Sequence, residues 1–224
     1  MTTMPAALVP PVSLAAVVTA LRDDVPGVEA PEGSMAAARA LMICLGGSAL
    51  FGAALGSFHG SPLQMLSSAL KAPMLLLGTT ALCFPAFYVM QLTRAPTPLS
   101  LSRAVMVKSQ ALAATALWWG ALSLPLLFLA STVQHYRLAQ GLALVVGAAG
   151  GIVGMRRFAA RLGASSGPTP RGTMIAYSVI YGVVGAQLSW FLRPFVGAPD
   201  QPWQFVRGMQ SNFFAFVFGP LLGG

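Results

Sequence analysis

The stretch MAAARALMICLGGSALFGAALGSF, residues 35–58, decides the fold. Its single charge, Arg39, stands at the entrance, and His59-Gly60 closes the exit. A run of this length matches the ~20 apolar residues with which an α-helix crosses a hydrocarbon layer ~30 Å thick. The run is apolar on all sides, which suits a helix facing lipid rather than one lying on a soluble core.

Working outward, the same pattern returns at about Ala72–Leu92, Val105–Ala130, Leu138–Met155 and Thr173–Leu192. The expected fold class is therefore all-α: a polytopic helical membrane protein with about five transmembrane helices. Residues 1–34 form an N-terminal arm and residues 35–224 the transmembrane domain. The last apolar piece, Phe213–Leu222, is too short for a straight span. It reads as an interfacial helix, or a re-entrant half-helix stopped at Gly219-Pro220.

Composition agrees. The chain is 56% hydrophobic and 8% charged, against about 25% charge in soluble domains. Four of its five acids, Asp23, Asp24, Glu29 and Glu32, lie in the arm, which leaves Asp200 as the remaining one. The net charge of +8 raises nucleic acid as a partner. The basic residues, however, stand singly or in pairs between apolar runs, as membrane flanks do. The expected partners are the lipid bilayer and other membrane subunits or a second copy of the chain, not nucleic acid.

Between the spans the punctuation is local. Ser13–Asp24 reads as a short amphipathic helix with Ser13 as N-cap, and Pro26, Gly27, Pro31 and Gly33 as a linker. Ser61–Lys71 reads as an interfacial connector, with Pro62 at the first helical position and Leu63, Leu66 and Leu70 on one face. Pro73 then opens the second span, and Pro85 and Pro125 are interior prolines expected to bend their helices. Gln134–Arg137 is a tight turn. Arg156, Arg157, Arg161 and Arg171 bracket a polar loop. With the N-terminus inside, nine basic residues fall inside (Arg22, Arg39, Arg94, Arg103, Lys108, Arg156, Arg157, Arg161, Arg171) and four outside (Lys71, Arg137, Arg193, Arg207). That bias favours a cytoplasmic N-terminus.

The glycines suggest helix packing. Gly52 and Gly56 lie one turn apart on one face of the first span. In the fourth, Gly147 and Gly151 interleave with Gly150 and Gly154, so a face of this helix is nearly bare backbone and must pack tightly against something.

The candidate polar residues are few. Gln187 sits within the fifth span, where an interhelical hydrogen bond is the ordinary role and a pathway or ligand role the alternative. Arg193 stands at a membrane border, and Asp200 is a plausible ion-pair partner for it or for Arg207. Lys71 reads as an interfacial anchor beside a kinkable helix. No catalytic residues are expected. The spans hold no Asp or Glu for a coupled carrier or for acid–base chemistry, and no P-loop, GxSxG or HExxH occurs. Cys44 and Cys83 have no metal-ligand spacing, and His59 and His135 no partner, so neither metal nor cofactor is expected.

At Ser68-Ala-Leu-Lys-Ala-Pro-Met-Leu-Leu-Leu-Gly-Thr-Thr and Phe84-Pro85-Ala-Phe-Tyr88 the chain resembles bacterial Yip1-like membrane proteins. Gly185-Ala-Gln-Leu-Ser-Trp-Phe-Leu-Arg-Pro-Phe-Val-Gly197 is similar to a segment of uncharacterised bacterial proteins of that kind. The resemblance spans about residues 35–210 and implies five helices without catalysis. Eukaryotic members of the family resemble trafficking and membrane-shaping factors that bind small GTPases through a cytosolic N-terminal region; the Ala/Pro-rich arm here gives no sign of such a site. Together these readings point to a bacterial inner-membrane scaffold or assembly subunit, with a small channel or facilitator as the alternative.

Overall fold

The computed structural model describes residues 30–132, 136–167, 169–197 and 203–206. The amphipathic arm helix, Gln134, His135, Asp200, Arg207 and the piece Phe213–Leu222 lie outside the described residues. Among those described, the chain is all-helical: α1 Ala30–Gly56, a 3-10 turn Ser57–His59, α2 Pro62–Arg94, α3 Leu101–Thr132, α4 Tyr136–Ser166 and α5 Arg171–Phe191. All five helices are long and apolar enough to cross a membrane.

Several boundaries move from their expected places. Pro31 and Gly33 belong to the first turn of α1, not to a linker. The connector Ser61–Lys71 is not separate from the second span: α2 is one helix of 33 residues. Pro62 takes its first position, with Ser61 at the N-cap making no side-chain cap bond. Pro73 and Pro85 are therefore both interior, and α2 continues through them, as α3 does through Pro125. Tyr136 and Arg137 open α4, and Arg156, Arg157 and Arg161 lie on α4 rather than in a loop. The loop itself shrinks to residues 167–170, where Gly167 turns the chain at φ +79°.

α1 packs against both α2 and α3, α4 packs on α3 and α5 on α2, and α4 meets α5 where Phe158 touches Tyr177. Glycine lets the α1 contacts form. A Cβ at Gly52 would run into the Ser68 carbonyl of α2, and one at Gly47 into the Ala116 carbonyl of α3. Gly56 faces Gln64 in the same way. The two cores stack end to end. One gathers Cys44, Phe51, Leu55, Leu76, Ala116 and Trp119, with Phe51 and Trp119 stacked at 4.9 Å. The other lies toward the end that carries Arg94, Arg103 and Arg171, and gathers Phe87, Val107, Phe158, Leu162 and Tyr177.

The interleaved glycines of α4 split into two uses. Gly150 and Gly154 press against Trp119 and Thr115 of α3, so close that no Cβ fits. Gly147 and Gly151 meet nothing within 4 Å. One bare face thus makes the expected intramolecular contact, and the other stays open among the described residues.

Candidate functional site

Two lysines are buried in this bundle, one toward each end. Neither behaves as the flanking anchor that its sequence position suggests.

Lys71 is 0% exposed. It lies on one face of α2 with Gln64 and Ser68, at spacings of four and seven residues that bring side chains into line on a helix. That face holds the segment following α5. Lys71 Nζ donates to the Pro194 carbonyl at 2.9 Å, and Gln64 Nε2 to the same oxygen at 3.1 Å. Ser68 Oγ donates to the Phe195 carbonyl at 2.6 Å. The Phe205 ring covers the ammonium, 4.9 Å from Nζ to its centroid. Arg193, before the cis peptide bond to Pro194, lays its guanidinium 3.7 Å over Trp190. The loop is tied down as a border loop would be, but the tie runs through α2 rather than through an acid within the described residues. Lys71 serves as an internal pin, and the correction has a simple cause: α2 starts at Pro62, so Lys71 falls in its third turn instead of at its mouth.

Lys108 is 4% exposed, although its sequence position beside Arg103 suggests a flank. α3 begins at Leu101, which carries Lys108 two turns into the bundle. Three rings surround its ammonium: Tyr181 at 4.2 Å, Phe158 at 4.5 Å and Tyr177 at 4.8 Å to the centroids. Tyr177 and Tyr181 share a face of α5 at i, i+4 spacing, and Phe158 comes from α4. Phe87 of α2 buttresses Phe158 edge-on at 4.9 Å. Tyr181 and Thr80 bond through their hydroxyls at 2.9 Å. An ammonium over aromatic faces gains ~2 kcal/mol or more when desolvated. No carboxylate and no hydrogen bond to Lys108 Nζ is found among the described residues, and the Cys83 thiol of α2 lies close enough to interact with the ammonium.

Next to this cage is a small pocket of mixed lining. Gln91, Thr169, Thr173 and Tyr177 line a partly enclosed cavity of ≈ 10 Å³ together with Phe87, Met90, Leu162 and Met174. Gln91 Nε2, Thr169 Oγ1, Thr173 Oγ1 and the Tyr177 hydroxyl are all buried without a hydrogen-bond partner. Buried polar groups are ordinarily bonded, so four such atoms around one cavity form a recognisable chemical feature.

Of the other residues expected to matter, Gln187 is part-buried on α5, and no interhelical hydrogen bond from it is found among the described residues. Asp200 lies outside them. Cys44 and Cys83 are unpaired and belong to different cores. No cluster of His, Cys, Asp and Glu able to hold a metal occurs among the described residues. The sequence reading overlooked Lys108, Tyr177, Gln91 and Thr173. The one signal available was Thr173, Tyr177 and Tyr181 at i, i+4, i+8, a polar-aromatic stripe on an otherwise apolar helix.

The described residues thus form a five-helix bundle of membrane-spanning proportions, with a charge buried toward each end. No protein family, curated protein or solved structure matches it.

Proposed function

We propose that this chain is a non-enzymatic integral membrane scaffold or assembly subunit, Yip1-like in kind. In this reading it is held in a bacterial inner membrane with its N-terminus and its arginine-rich end in the cytoplasm. The observation that carries the reading is the unequal use of the α4 glycines. Gly150 and Gly154 are filled by α3, whereas Gly147 and Gly151 meet nothing. In lipid, where apolar side chains gain little by leaving the acyl chains, bare backbone is the surface on which another helix packs closely. Exposed Arg156, Arg157 and Arg161 on the same helix would meet headgroups or an acidic partner at the cytoplasmic face.

The test is extraction in mild detergent followed by mass spectrometry of the intact complex. A stoichiometric partner or a defined oligomer is expected, and Gly151→Leu should abolish it while leaving the fold intact. A chain that stays monomeric and partner-free under crosslinking in native membranes would overturn the reading. The alternative, a small channel or facilitator, draws on Pro85, Pro125 and Gln187. Because α2 and α3 run unbroken through both prolines, it comes second, and flux into proteoliposomes tests it.

A further inference from the structure

The pocket beside Lys108 combines three conditions that seldom meet by accident. Beside it lies a buried ammonium, Lys108, under three ring faces and near the Cys83 thiol. The pocket itself holds four buried polar atoms with no partner, of which one is an amide N–H₂ and three are hydroxyls free to donate. Finally, the part of the chain that forms it supplies no acid: α2 to α5 contain no Asp or Glu.

An ammonium removed from water loses several kcal/mol of solvation, and ring faces return only part of it. The remainder calls for a negative charge or for water. Tyr177 joins the two halves of the site, since its ring packs on the Lys108 ammonium and the residue also lines the cavity. Gln91 is 3% exposed, Tyr177 2% and Thr173 8%, so these groups cannot be satisfied by turning outward. A cation there would meet Lys108. The cavity has room for about one water-sized occupant, which favours a small one. What remains is an occupant about the size of one water molecule that accepts hydrogen bonds from all sides and carries a negative charge.

We propose that the chamber lined by Gln91, Thr173 and Tyr177, with Lys108 behind the Tyr177 ring, binds one small monovalent anion of halide size. The anion accepts from the Gln91 amide and the Thr173 and Tyr177 hydroxyls, and it neutralises Lys108 across the Tyr177 ring. Cages of this kind, a fixed cation plus converging neutral donors, hold anions without any carboxylate to compete. The site stands apart from the open α4 face, so it does not depend on the subunit reading.

The experiment is a thermal melt of the full chain in lipid nanodiscs, with sodium gluconate replaced stepwise by sodium chloride or bromide at constant ionic strength. Binding to the folded state raises the melting temperature in a saturable way. That rise is expected with either halide in the wild type. Lys108 supplies the neutralising charge, and an interaction between unit charges in a partly buried site is worth ~1.4 kcal/mol or more, which is about 10-fold in affinity, so in Lys108→Met the halide response should weaken by at least that factor. If Lys108→Met does not fold, Thr173→Val and Gln91→Leu decide: a weakened halide response supports the site, and an unchanged one overturns it. Identical melting of the wild type in halide and gluconate would mean that a single water fills the chamber, and the proposal would fall.

Discussion

Lys71 and Lys108 show two ways of burying the same ammonium. Lys71 is held by a directed bond to the Pro194 carbonyl, in a face whose other members, Gln64 and Ser68, bond the same two-residue stretch. Lys108 is held by the faces of Phe158, Tyr177 and Tyr181. A backbone carbonyl fixes position, and removing its donor undoes a tertiary connection between α2 and the segment after α5. Ring faces contribute attraction without direction, so they leave the charge available to something else. The first arrangement is what a structural residue needs, and the second what a binding residue needs.

The contrast can be broken most severely at Gly52. Its Cβ position is filled by the backbone of Ser68, the residue that ties Phe195, so Gly52→Leu should push α1 off α2 and with it the whole Lys71 region. Overpacking costs 1–3 kcal/mol and occasionally more; a loss of ~3 kcal/mol or outright failure to fold is expected, read by denaturant titration in detergent. Gly147→Leu is the matched control, at a site with nothing within 4 Å, and should leave stability unchanged.

Next in size is the direct comparison of the lysines. Lys71→Met removes a charged hydrogen bond and should cost ~1.5–3 kcal/mol, seen in the same unfolding assay. Lys108→Met, measured without halide, removes a cation–π contact but also an expensive buried charge, so it should lie within ~1 kcal/mol of wild type or be more stable. Equal losses in both variants would mean that the two lysines are held alike.

A smaller effect sharpens the Lys71 side. Ser68→Ala leaves the Phe195 carbonyl one bond poorer and should cost ~1 kcal/mol. In combination with Lys71→Met the losses should not simply add, because the two side chains hold one segment. The smallest effect lies on the other side. Tyr181→Phe keeps the ring over Lys108 and removes only the bond to Thr80, so a change of ~0.5–1 kcal/mol is expected, with the halide response retained.

The long apolar runs were legible because lipid-crossing helices must be apolar around their whole circumference, and a run such as residues 138–155 offers no other reading. Helix ends were harder. Arg156, Arg157 and Arg161 looked like a loop because charge usually marks the end of a span, yet α4 carries them outward for three further turns. The same habit hid Lys108. Beside Arg103 it reads as a flank, and only the start of α3 at Leu101 places it inside. The interleaved glycines announced close packing, but not which pair would find a neighbour.

By itself, then, the sequence determined the number of apolar helices, their approximate order and the likeness of their glycine faces to packing surfaces, because these depend on length, hydrophobicity and local spacing. Only the tertiary structure decided that Gly150 and Gly154 are filled while Gly147 and Gly151 are not, that Lys71 pins the Pro194 segment from more than a hundred residues away, and that residues of four helices converge around Lys108. Such contacts depend on how helices rotate and shift against one another. That is set by the sum of many small packing terms along both partners, which no local stretch of the chain records.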